Sequence, residues 1–388
     1  MLIERLTLRN LLSYGPETPE LPLDRLNVLI GPNGSGKSNL IEAIGLLQAA
    51  PKDLTMPIRE GGGVRDWIWK GEKSPSDASI EVVIKNRNGP ASLRYHLAFT
   101  ETGQRFQLSD ERIEYEHPDE GRSDPYFFFR YEHNRPVINL KDGAERRLER
   151  DEIDPEQSIL SQRKDPDQYP ELTYLGEVFG RIRIYREWSF GRYTAPRLPQ
   201  KADLPNNRLE ENARNLGLVL NRFKIKPNVK KKLLNELRKL YEGIVDFDVS
   251  IEGGTVQLFF QEGNITVPAT RLSDGTLRYL CLLAILCDPE PPELVCIEEP
   301  ELGLHPDILP TLAELLRDAS ERTQIIVTTH SDMLVDALTD TPECVIVCEK
   351  HDGQTQMRRL DKKKLKDWLD KYSLGELWRK GELGGTRW

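Results

Sequence analysis

"VLIGPNGSGKSNLIEAIGLL", residues 28 to 47, starts apolar, breaks into a glycine-rich turn and resumes with helical spacing one lysine later. The run 26–30 reads as a buried strand, and Leu40, Ile41, Ile44 and Leu47 recur at helical intervals until Pro51. The turn between them, Gly31, Pro32, Asn33, Gly34, Ser35, Gly36, Lys37 and Ser38, fits G-x-x-x-x-G-K-[ST]. Glycines there let successive backbone N–H groups curl around an anion at the positive end of the following helix. Lys37 is suited to neutralising β and γ phosphates and the Ser38 hydroxyl to ligating Mg2+, with Asn39 next on the same helix start. The stretch therefore predicts a nucleotide site with Mg2+.

Composition bounds what surrounds this site. The 388 residues, 38% apolar, suffice for one large domain or two ordinary ones with a real core. The net charge of -9, from 54 basic and 63 acidic residues, argues against wholesale coating of nucleic acid, although a local basic face stays open. The longest apolar run, "LCLLAILC" at 280–287, is far short of the roughly 20 residues that span a membrane. "MLIERLTLRN" at the start is too charged for a secretion signal, so a cytoplasmic protein without a membrane partner is expected. The five cysteines, Cys281, Cys287, Cys296, Cys344 and Cys348, lie in apolar runs without a CxxC pair and read as core residues.

Farther along, 79–116 alternates apolar and polar residues between the turns "RNG" and "TG", which predicts antiparallel hairpins. The charged stretch 117–170 reads as loop-rich, with "YFFFRYE" and "PVINL" as candidate strands. Residues 207–242 read as helical, with Asn228 after Pro227 as the N-cap of "VKKKLLNELRKLYEG". Two apolar strands, "ELVCI" (293–297) and "QIIVTT" (324–329), flank a helical stretch and predict a parallel βαβ unit.

The first of these strands runs into Glu298 and Glu299. An apolar strand that delivers two carboxylates suits a metal-holding residue followed by a general base: Glu298 for Mg2+, Glu299 for the attacking water. "TTHS" closes the second strand and sets His330 one βα step later, where it suits a hydrogen bond to the γ-phosphate or the water. In "RLSDGTLRYLCLLAIL" (271–286), Ser273 and Gly275 precede a helix and make another N-terminus suited to an anion, the alternative being a plain turn and N-cap.

Taken together, "LTLRNLLSYG" (6–15), the loop, "LSDGT", "CIEEPELGLHP" (296–306) and "VTTHS" resemble the ABC-type ATPase heads of the RecF, SMC and OLD-nuclease group. The resemblance runs over almost the whole chain. It implies an α/β fold, a P-loop NTPase of ABC-head type with a mixed sheet, an antiparallel β lobe and a helical signature lobe. It implies that Ser273 and Gly275 approach the γ-phosphate bound by a second copy, so that a homodimer sandwiches ATP. It also implies a glutamine that senses Mg2+, for which Gln162 in "SILSQRKDP" is the candidate, a plain surface glutamine being the alternative. Asp274, Thr276 and Glu298 depart from the transporter-like pattern and leave the hydrolysis rate open.

Ser38 and Ser273 stand 235 positions apart, too far for a transporter ATPase, and the intervening segment lacks the heptads of an SMC coiled coil. The expected organisation is one head over 1–350, with a nucleotide-binding core at 1–75 and 250–350, an insert at 76–250 and a charged tail at 351–388. The 58 residues after His330 leave no room for a Toprim domain, so no nuclease activity is expected in them. The resemblance implies DNA processing, with a separate nuclease-like effector subunit in bacterial, anti-phage defence or repair. Arg222, Lys224, Lys226, Lys230, Lys231, Lys232, Arg238 and Lys239, against Glu236 alone, make 221–239 the candidate DNA face. The alternatives are a transporter's nucleotide-binding subunit and a regulatory module that holds ATP without turnover.

Overall fold

A computed structural model describes residues 1–71, 75, 77–86, 89–132, 135–141 and 143–385. The Arg87–Asn88 turn of the first expected hairpin and the last three residues of the expected tail lie outside these. The chain divides into two compact units, one of Met1–Ile182 with Ile346–Arg359 and the residues from Gly384, the other of Arg183–Val345 with Leu360–Leu383.

In the first unit the alternating stretches form an antiparallel sheet of eight strands. Their order is Leu21–Pro22, Ile3–Arg9, Asp77–Ile84, Leu93–Thr102, Arg105–Tyr115, Phe127–Glu132, Arg135–Asn139 and Glu145–Arg147. Tyr95 faces Ile113 and Leu97 faces Ile80 across the ladder, so the apolar residues of neighbouring strands share a face. "YFFFRYE" and "PVINL" are both strands of this sheet, paired through Phe129 and Ile138. Strand Leu26–Ile30 is different in kind: all five residues are buried, the pattern of a strand covered on both faces. It lies beside strand Val345–His351, which turns back as Gln354–Arg359.

In the second unit the expected βαβ arrangement is present. Strands Leu294–Glu298 and Gln324–Thr328 pair in parallel, and helix Leu309–Ser320 connects them. Strand Arg183–Tyr185 pairs in parallel on the other side of Leu294–Glu298. A smaller antiparallel sheet, Ile244–Glu252 against Thr255–Glu262, carries helices Leu216–Lys224 and Pro227–Leu240 on one face. The second of these helices corrects the expected cap. It starts at Pro227, Lys226 holds the N-cap position, and no side chain caps it. Proline's fixed φ suits the first helical position, so Asn228 lies inside the helix.

The stretch expected as a charged tail is folded. It supplies strand Gln354–Arg359, the exposed amphipathic helix Lys362–Leu369 and the capped helix Leu374–Arg379, which buries Leu374 and Leu377. All five cysteines are buried and free, and burial pushes the thiols of Cys287 and Cys348 up to about 12. Among the described residues no helix is long and apolar enough to cross a membrane.

Candidate functional site

The phosphate loop belongs to the first unit. Helix Lys37–Ala49 begins at Gly36 with no side-chain cap and no acidic residue in its first turn. Its leading N–H groups and positive dipole end are therefore available to an anion. Gly31 has φ +148° and Gly36 φ +97°, backbone conformations that side-chain-bearing residues rarely adopt. A Cβ on Gly31 would lie 2.2 Å from the Cys348 carbonyl oxygen, and one on Gly36 would lie 2.2 Å from Thr355 Oγ1. Lys37 is buried and donates through Nζ to the carbonyls of Gly31 (2.8 Å) and Pro32 (3.0 Å), so the loop curls around its own lysine. Asn33, Gly34 and Ser38 are exposed, while the buried Ser35 Oγ has no hydrogen-bond partner among the described residues.

A clamp that the sequence did not announce holds this loop. Asn39 Nδ2 donates to Ser13 Oγ at 2.7 Å. The Thr355 hydroxyl lies 2.6 Å from Ser13 Oγ and 3.0 Å from the Ser35 carbonyl. Tyr14, fully buried, donates its hydroxyl to the Gly36 carbonyl at 2.9 Å, and burial raises its ionisation well above the ordinary value. "LLSYG" sits 20-odd positions upstream and Thr355 some 320 downstream, so only folding brings them to the loop.

The carboxylates belong to the second unit. Glu298 ends its strand mostly buried, with Oε2 3.1 Å from Arg186 Nε and Oε1 buried without a partner among the described residues. Glu299 follows in the left-handed region, φ +44°, and its N–H donates to the Thr328 carbonyl at 3.0 Å. That turn brings Glu299 Oε1 to 3.6 Å from His330 Nε2. The structure thus gathers Glu298, Glu299 and His330 at the ends of two adjacent parallel strands. A third acid, Glu301, fixes the histidine: its Oε1 accepts from Thr329 Oγ1 (2.6 Å) and from the His330 N–H (2.9 Å). Burial raises the Glu301 carboxyl above the usual range. The signal for it was the run "EEPE", in which only the first two acids stand out by strand position.

Ser273 caps helix Asp274–Leu286, accepting from Thr276 N–H at 3.0 Å, with the two hydroxyls 2.8 Å apart. A Cβ on Gly275 would lie 2.7 Å from the Gly303 carbonyl oxygen, so the residue must be glycine for the loop after the acids to approach. The buried Arg197 secures this turn through Asp274, the Leu272 carbonyl and the Phe190 carbonyl. Gln162, in the first unit, spends its carboxamide locally: Oε1 accepts from Asp154 N–H at 2.8 Å and Nε2 donates to Gln157 at 2.9 Å. Sensing a metal would require those bonds to break.

The basic stretch is largely neutralised within its own unit. Arg222 pairs with Asp288, Lys224 with Asp248, Lys226 with Glu290, Lys230 with Asp246, Lys232 with Asp318 and Lys239 with Glu236. Arg238 donates to the carbonyls of Ile244 and Val245. Lys231 alone among the eight has no partner among the described residues.

A family model described as "AAA domain, putative AbiEii toxin, Type IV TA system" matches residues 26–336. No curated protein matches. Solved structures of SMC heads resemble the chain over nearly its whole length. An SMC head bound to the C-terminal winged-helix domain of ScpA is 16% identical, with a TM-score of 0.56 over 94% of this chain and 99% of that one. A Pyrococcus furiosus SMC head with an extended coiled coil, bound to the C-terminal domain of ScpA, is 15% identical, with a TM-score of 0.57 over 95% and 99%. At such identities the likeness establishes the fold, a P-loop NTPase of the SMC-head, ABC-ATPase kind.

Proposed function

Because the chain belongs to the AAA-domain family that it matches over residues 26–336, we propose that it binds Mg-ATP at Gly31–Asn39, hydrolyses it slowly and closes into a homodimer around it. The observation that carries this reading is the uncapped helix start at Gly36, with a buried lysine parked on two carbonyls of its own loop. A phosphate chain would take those N–H donors and the ammonium without rebuilding the backbone.

In the second unit, Glu299 would accept a proton from the attacking water as oxygen bonds to the γ-phosphorus and the bond to the ADP oxygen breaks. His330, near Glu299 and fixed by Glu301, orients that water or the phosphate. Mg2+, when bound, neutralises charge on the phosphate oxygens; Ser38 and Glu298 would hold it. The buried Oε1 of Glu298, without a hydrogen-bond partner among the described residues, suits such a ligand. Gln162 would join them only by leaving its local bonds.

Ser273 and Gly275 would meet the nucleotide of the second copy. Ser273 can accept from both Thr276 groups and keep its own proton for a phosphate oxygen. In this reading 1–350 is one head, in which 1–75 and 250–350 handle nucleotide and 76–250 is an insert, and 351–388 is a charged C-terminal stretch.

The output we propose is DNA processing in the cytoplasm, through a separate nuclease-like effector in bacterial defence or repair. The toxin–antitoxin wording of the family description and the ScpA-bound SMC heads support a partner subunit, as properties of those proteins extended to this chain. DNA contact through 221–239 would fall chiefly to Lys231 unless its neighbours exchange partners.

The test is Glu299→Gln with ATP, followed by light scattering. The expected result is an ATP-dependent doubling of mass; a nucleotide-loaded variant that stays monomeric would refute the sandwich.

A further inference from the structure

The acidic end of strand Leu294–Glu298 already holds a cation of its own. In parallel register Tyr185, the last residue of its strand, lies beside Ile297, which brings the following Arg186 near Glu298. Arg186 Nε reaches Glu298 Oε2 at 3.1 Å. This is the one side-chain bond of the guanidinium among the described residues, and about a third of the side chain is exposed. Glu298 itself is only 15% exposed, and Glu299 and Glu301 follow within three residues. A mostly buried carboxylate in such company is costly without a positive partner. A single exposed tether is also easily exchanged.

We infer that Arg186 is a resident counter-ion of Glu298 that competes with the divalent cation and sets how much metal the site requires. This rests on the ATPase reading above. Arg186 occupies Oε2 and leaves Oε1 as the open ligand atom. A metal ion arriving at Glu298 meets the guanidinium's charge and must displace it or share the carboxylate with it. Displacement frees an arginine at the strand end. The pair therefore keeps the Glu298 carboxylate aimed while metal is scarce, and it raises the metal concentration at which the site fills. Lysine at this position would keep the competing charge; glutamine would remove it.

The experiment titrates Mn2+ into the Glu299→Gln protein loaded with ATP and follows bound metal by electron paramagnetic resonance at fixed ionic strength. Arg186→Gln and Arg186→Lys are compared in that background, with thermal melts to establish folding. For Arg186→Gln, half-saturation is expected at roughly three- to fivefold less Mn2+, the upper range of an ion pair that is partly exposed. Arg186→Lys is expected to stay within about twofold of the parent. Unchanged or weaker Mn2+ binding in folded Arg186→Gln would overturn the counter-ion. So would a loss of metal-free ATP affinity, which would make Arg186 a phosphate ligand. A parent protein that binds no ATP at any metal concentration would take down the ATPase reading and this inference together, an outcome distinct from a flat metal response.

Discussion

The phosphate loop and the acidic strand end meet opposite demands with opposite means. At the loop the chemistry is carried by backbone N–H groups. The backbone is over-determined, with Gly31 and Gly36 pressed against Cys348 and Thr355 and with Tyr14, Ser13 and Asn39 bonded around them. At the strand end the chemistry is carried by side chains on few contacts. Glu298 has one arginine, and Glu299 has a histidine at 3.6 Å on a left-handed turn. A cradle that must fit one shape of ligand gains from rigidity, because ordering it on binding would cost affinity. Groups that must exchange protons and cations gain from partners they can leave.

Lys37→Ala attacks the rigid region at its centre. It removes the buried ammonium and leaves the Gly31 and Pro32 carbonyls without their donor. Truncating one partner of a buried, hydrogen-bonded charge costs about 2–5 kcal/mol, so ATP affinity should fall at least about thirtyfold by calorimetry; an unchanged affinity would break the assignment of the loop. Glu299→Gln attacks the exchangeable region instead. Phosphate release should drop by about 10²–10⁴ while ATP affinity changes by less than about threefold, and normal turnover would remove Glu299 as the base.

Two further variants sharpen the contrast within the first unit. Glu111 is buried among Tyr95, Ser158 and the Ile159 N–H, and burial raises its carboxyl to about 7 against a reference of 4.5. Folding therefore takes up a proton between those values. The protonated acid contributes stability that is fully present below about 4.5 and lost as pH rises through about 7. The parent's melting temperature is expected to fall between pH 5 and 8, and Glu111→Gln should flatten that fall; equal slopes would exclude this group. Thr355→Val, the smallest change, removes a hydroxyl that satisfies the buried Ser35 carbonyl. It should cost about 1 kcal/mol, read as about a degree in melting temperature or, where it falls on the loop's bound shape, roughly a fivefold loss of ATP affinity. A wild-type response would mean that the clamp does not hold the loop.

What could be read in advance follows the range of the interactions involved. Strand Leu26–Ile30, the glycine turn and the helix from Lys37 were legible because turn and helix are dictated by neighbouring residues. The parallel strands ending at Glu298 and Thr328 were legible from apolar runs of strand length. Asn228 was misread as a cap because proline one residue earlier fixes the helix start. The basic stretch could not be weighed because its partners, Asp246, Asp248, Asp288, Glu290 and Asp318, lie on other elements. Arg186 and Arg197 carried no local pattern at all, and Glu301 only its place in the acidic run "EEPE".

The sequence by itself determined where a phosphate-shaped turn forms and where carboxylates end a buried strand, since both depend on residues within a few positions of each other. Only the tertiary structure decided what surrounds them: Thr355 and Tyr14 on the loop, Arg186 on Glu298, Glu301 behind His330. Those pairings span from 22 to 320 positions, and a contact over such a distance is selected by the packing of whole elements, which leaves no period or spacing along the chain.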